Sequence, residues 1–208
     1  MLWNSMIAFF VLCACMLAAE ETVVIQRPLA DNNSIMAIYR EDWGLTSANE
    51  PVPLFIAWPD GRLVWSENRV TGGAPYRTAQ IDPEKIAALM KWFEKDGVFA
   101  NHKLKAAHFG PESQFTTILI KNGKRELKLQ SWHELVEQSG KSVAADGGAT
   151  GLQGQRRQDV LRESKADYLY FRFVWSETRG RLMDLIPSDG KGVVGDVTLK
   201  DHVVSWKE

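Results

Sequence analysis

Five side chains able to hold a metal fall close together in the chain: His102, His108, Glu112, His133 and Glu134. If the segments carrying them converge, His108, Glu112 and His133 supply two imidazoles and a carboxylate, a set that leaves a zinc ion one open position for water. The spacing argues against this, because no His-Glu-x-x-His run places two ligands on one helical face. A metal-dependent hydrolase built on these three residues is therefore the alternative reading, and no cofactor is expected.

Other chemistries find less support. Ser188 and Lys191 have the spacing that lets a lysine activate a serine, but they follow Pro187 among glycines, whereas such a serine needs to open a helix. The glycines between Gly147 and Gly154 resemble a phosphate cradle, yet too little chain follows for a βαβ unit and its ribose-binding acid. The carboxylates of Glu41-Asp42 and Glu20-Glu21 are adjacent in sequence and point apart, which suits solvated charge rather than paired acid and base. The segments 64–69 and 174–179 agree at five of six positions, but one reads as strand and the other as helix, so they are not a repeat.

Tryptophan is the richer signal, with 8 in the chain. Trp58 and Trp65 flank one hairpin turn and Trp132 ends a second hairpin. On a shared exposed face they would form a flat platform for a glycan or a protein, since an indole offers a large contact area at little conformational cost. The competing reading places these rings in the core, and for Trp175 that reading wins.

The elements that would position these residues follow from local pattern. Segments 22–26 and 34–39 read as strands, and 53–58 with 62–66 form a hairpin around Trp58-Pro59-Asp60-Gly61. Asp82 caps a helix with Pro83 at its first position, and Ile86, Leu89, Met90 and Phe93 share one face. Asp96-Gly97 stops it, with Val98 placed to fold back. Segments 115–121 and 124–130 form a second hairpin through Asn122-Gly123. Residues 140–155 hold five glycines and no aromatic residue, the composition of a flexible loop. From 156 to 186, Leu161, Tyr168, Trp175 and Leu182 recur every seven residues with Phe171 and Leu185 beside them, which predicts one long helix ended by Pro187. Segment 197–206 reads as a last strand.

This order predicts an α+β fold: a mainly antiparallel sheet, two β-hairpins plus terminal strands, with one short and one long helix on one face. The chain of 208 residues, 45% of them hydrophobic, is neither disordered nor a coiled coil. With 25 basic against 26 acidic side chains it has no general attraction for phosphate, so no nucleic-acid partner is expected.

Residues 1–19 carry no charged side chain, and the apolar run within them is too short to span a bilayer but suits the core of a signal peptide. Cleavage after Ala19 leaves a single α+β domain over 20–208, with no cysteine and no transmembrane span. A lipid anchor at Cys15, in a lipoprotein-like Leu12-Cys13-Ala14-Cys15, is the second route. The expected role is an exported, non-catalytic binding domain of the cell envelope, periplasmic or extracellular, whose partner is an envelope protein or a glycan.

Overall fold

The computed structural model describes residues 22–30, 34–42, 50–96, 99, 106–109, 114–131 and 166–208. Within them run β1 (Val24–Pro28), β2 (Ser34–Asp42), β3 (Val52–Ala57), β4 (Arg62–Ser66), β5 (Tyr76–Gln80), α1 (Pro83–Lys95), β6 (Ala106–Phe109), β7 (Gln114–Asn122), β8 (Arg125–Ser131), α2 (Ala166–Met183), β9 (Lys191–Gly192), β10 (Thr198–Lys200) and β11 (Val203–Lys207). The segments 1–19 and 140–155 lie outside the described residues, as do Gly97 and Val98.

The fold is α+β and mainly sheet. Eight strands form one sheet in the order β6-β8-β7-β2-β3-β4-β5-β9, and β1-β11-β10 form a second of three. All pairs are antiparallel except β6 with β8, which run parallel.

Alternation along the central strands decides the layering. On β2, Met36 and Ile38 join one apolar cluster while Ile35, Ala37 and Tyr39 join another, so successive side chains feed opposite faces. The first cluster takes Ile86, Met90 and Phe93 from α1 and Phe171, Val174, Trp175 and Leu182 from α2. The second takes Leu199 from β10 and Val204 and Trp206 from β11. A sheet buried on both faces must read as continuous apolar sequence, and Leu54-Phe55-Ile56-Ala57-Trp58 does.

One irregularity breaks the alternation. The β2–β3 register shifts between Ile38 and Tyr39, whose partners are Phe55 and Pro53, so Leu54 is the extra residue. Leu54 and Phe55 therefore both enter the helix-side cluster. Pro53, which has no N–H to give a ladder, sits beside this bulge.

Each helix end has a local cause. The Asp82 carboxylate accepts from the Glu84 N–H at 2.9 Å, Pro83 occupies the first helical position, and Ile81 packs on the cluster that holds Ile86. α2 stops at Met183, three residues short of the boundary expected before Pro187. Its last turn tightens there: Leu185 and Ile186 donate to carbonyls three residues back, Leu182 and Met183. The Arg181 guanidinium lies 3.8 Å from the centre of the Trp92 ring and ties the two helices together.

Three strand expectations change. Segment 197–206 is a hairpin, because Asp201 and His202 at φ 49° and 62° make a two-residue turn with both centres left-handed. The β7–β8 turn is Gly123-Lys124, with Asn122 still paired to Arg125 and only the glycine at positive φ. β5 was not foreseen, and neither were β6 and β9: Tyr76-Arg77-Thr78-Ala79-Gln80 has a single large apolar residue, and it forms on the edge offered by β4.

Trp58 and Trp206 stack at 5.7 Å between centroids, with the Trp58 indole donating to the Pro28 carbonyl at 2.9 Å. Truncation of a buried aromatic of this kind costs about 3–5 kcal/mol. Trp58→Ala and Trp206→Ala should each lower the urea midpoint accordingly. The double variant should lose less than the sum by about 0.5–1.5 kcal/mol, the worth of the ring pair, in a double-mutant cycle.

Alkaline pH should act through a buried phenol. Burial first, and Asp196 after it, push Tyr76 up to about 12 against the opposing pull of the Gly73 N–H and Arg40. The unfolded chain loses that proton near pH 10, the ordinary value, so stability is intact below about 10 and falls as pH rises toward about 12. Thermal unfolding followed from pH 9 to 12 should show the decline, reduced in Tyr76→Phe.

Candidate functional site

α1 lies over one end of β2, β3 and β7 and leaves a cavity of about 320 Å³ beneath it. It is lined by Met36 at the start of β2, Ala57 at the end of β3, and Ile86, Ala87 and Met90 on α1, while the Ile35 side chain belongs to the cluster on the other face of the sheet. Of the small residues that line it, Ala57 on the sheet is buried and Ala87 on the helix is exposed. A void of this size with an apolar lining is within the range that accepts a small ligand.

The mouth is polar and ordered. Ser34 donates from Oγ to Asn122 Oδ1 at 3.0 Å, and Asn122 Nδ2 donates to Glu94 Oε1 at 2.9 Å. That chain fixes β2, β7 and α1 against one another at the rim. Lys91 lines the same mouth, is exposed, and has no ion-pair partner among the described residues. A cationic and an anionic side chain therefore border one apolar space.

Two other polar arrangements are internally paired. On β2, β7 and β8, Glu41 accepts from Thr117 Oγ1 at 2.6 Å, Gln130 Nε2 at 2.9 Å and Lys128 Nζ at 3.2 Å. All three side chains donate to the same carboxylate, and Gln130 Nε2 also reaches Thr117 Oγ1 at 3.5 Å, so the group braces three strands. Burial, reinforced by Glu41 and then Glu126, holds the neighbouring Tyr39 phenol well above its usual range and keeps it neutral. The second is an open depression of about 520 Å³ lined by Arg62, Gln80, Asp189, Lys191 and Glu208. It is larger than the α1 cavity but lacks an apolar floor, and Arg62 is already paired with Glu208 at 3.0 Å.

The indole platform does not form. Trp58 is 0% exposed and Trp65 is 3% exposed. Trp65 is the cross-strand partner of Phe55, three residues from Trp58, so the two rings project to opposite faces of the sheet. Trp65 enters the helix-side cluster and Trp58 the cluster between the sheets. Trp132 lies outside the described residues.

Of the metal alternative, His108 stands in β6 opposite Gln130 of β8. Glu112 and His133 lie outside the described residues. Among the described residues no three His, Cys, Asp or Glu side chains converge. Ser188 and Lys191 sit in the turn before β9 and at its start, where Gly190 is packed so closely that a Cβ would come 2.5 Å from Trp65 Cη2.

Sequence reasoning passed over Ser34, Ala57, Ala87, Lys91, Glu94 and Asn122. The signal that could have marked the cavity is Ala87 beside Ile86 and Met90, a small residue flanking the apolar face of a well-capped helix.

Compared with known proteins, the chain matches no family model, no curated protein and no solved structure.

The cavity makes opposite demands on its two alanine and methionine neighbours. Met90→Ala removes a buried side chain next to an existing void and should cost about 2–5 kcal/mol. Ala87→Leu adds volume toward open space at only slightly lower helix propensity, and should stay within about 1 kcal/mol of wild type. Paired chemical denaturation curves check both signs.

Proposed function

We propose that the chain is an exported, non-catalytic binding domain that holds a small, largely apolar ligand in the cavity beneath α1. The observation that carries the reading is the combination at that site: a pocket of about 320 Å³ lined by Met36, Ala57, Ile86, Ala87 and Met90, bordered by the hydrogen-bonded groups of Ser34, Asn122 and Glu94. Concave apolar sites with a few fixed polar groups are where small molecules bind. Export is supported by the uncharged apolar segment 1–19, with processing after Ala19 or lipidation at Cys15. Among the described residues no helix is long and apolar enough to cross a membrane.

Burial of Trp58 and Trp65 withdraws the argument for a glycan or protein seated on exposed indoles. The envelope setting is retained, and the ligand moves to the α1 cavity. A partner protein would reach this site by inserting one apolar side chain.

Native mass spectrometry of the protein isolated from exporting cells tests the reading. The expected spectrum shows a chain beginning at Glu20 and carrying a small-molecule adduct that is absent from Ala87→Leu. Equal, adduct-free spectra for both proteins would contradict ligand binding, and an uncleaved chain would contradict export.

A further inference from the structure

Asn122 ties three elements together and is followed by Gly123. Its Oδ1 accepts from Ser34 Oγ on β2 at 3.0 Å, and its Nδ2 donates to Glu94 Oε1 on α1 at 2.9 Å. An ionised Glu94 can only accept, which fixes the amide nitrogen on that side. The Asn122 backbone closes two ladders, opposite Arg125 on β8 and Ser34 on β2. Gly123, at φ 60°, opens the turn, is exposed, and would carry a Cβ with nothing within 4 Å of it. A glycine after asparagine has no side chain to keep its own nitrogen away from the asparagine amide carbon.

We propose that Asn122 is a deamidation site, closed in the folded chain and reached by local opening of the β7–β8 turn, whose product releases α1 from the sheet. The Gly123 nitrogen gives its proton to hydroxide and attacks Asn122 Cγ. The Cγ–Nδ2 bond breaks, and ammonia leaves with a proton from water, which restores the hydroxide. A second water opens the cyclic imide at either carbonyl, giving aspartate or isoaspartate at position 122. In the folded chain the amide is held on Ser34 and Glu94 while its backbone is paired on both sides, so the ring closes only after these bonds open. The product reverses the contact: a carboxylate replaces the donor facing Glu94, and two carboxylates within hydrogen-bond reach cannot both be ionised. Isoaspartate also routes the main chain through Cβ and disturbs the register at the end of β7.

Peptide mapping by mass spectrometry after incubation at mildly alkaline pH reads the reaction. Conversion at position 122 should be at least about tenfold slower in the native protein than in the urea-unfolded chain, since local opening must precede it. Ser34→Ala, which frees one end of the amide, should speed the native reaction and leave the unfolded rate unchanged. Asn122→Asp reproduces the aspartate product. Its melting temperature should lie closest to wild type near pH 4 and fall away as pH rises, because the folded pair keeps a proton that the unfolded chain releases at about pH 4. In a Glu94→Gln background, where the amide can turn Nε2 toward the new carboxylate, the same substitution should leave the neutral-pH melting temperature nearly unchanged. Equal rates in native and unfolded chains overturn the proposal, as does no conversion at position 122 in the unfolded chain or in native Ser34→Ala. An Asn122→Asp protein as stable as wild type at neutral pH overturns the release of α1.

Discussion

Strands β2, β3 and β4 carry large apolar side chains on both faces, so neither face can be left in water. Burial of a side chain such as Leu54, Phe55 or Ile56 is worth about 1.5–3 kcal/mol each, and these strands contribute them in unbroken succession. One face is covered by α1 and α2. The other is covered by the sheet of β1, β11 and β10, whose strands come from the two ends of the described chain. The Trp58–Trp206 stack fastens that outer sheet to the central one, and Arg27 closes its edge by lying 4.7 Å above the Trp58 ring while pairing with Asp60 at 3.0 Å.

This constraint also explains where the candidate site lies. The candidate pocket lies where the start of β2, the end of β3 and the end of β7 meet α1. There α1 contributes the buried Ile86 and Met90 and the exposed Ala87 to the lining. The polar chain from Ser34 through Asn122 to Glu94 bridges the gap without filling it. A ligand in that place would complete a contact that the protein's own side chains leave open.

Much of the fold was legible in the sequence because its signals are local. Asp82, Pro83 and Ile86 mark the start of α1 within five residues, and Trp58-Pro59-Asp60-Gly61 turns between β3 and β4 as its composition demands. At Gly61, φ is 88° and an added Cβ would collide with the Ile81 carbonyl oxygen, so only glycine fits. What escaped depends on distant neighbours. β5 is a strand because β4 offers it an edge, and the hairpin of β10 and β11 turns on Asp201 and His202, neither of which is a glycine. The Trp platform failed for a reason already present in the sequence: the apolar run 54–58 lacks the alternation of a half-exposed strand. Of the cavity only Ala87 beside Ile86 and Met90 left a trace in the sequence, since the rest of its lining comes together only when helix and sheet are packed.

The account rests on the double coverage of β2, β3 and β4, and native-state hydrogen exchange reads it residue by residue. The amides of Ala37, Ile56 and Val64 should exchange only through global unfolding, with protection matching the full unfolding free energy, while those of β9 exchange by local opening. Exchange of the Ile56 and Val64 amides as fast as those of β9 would contradict a sheet sealed on both faces.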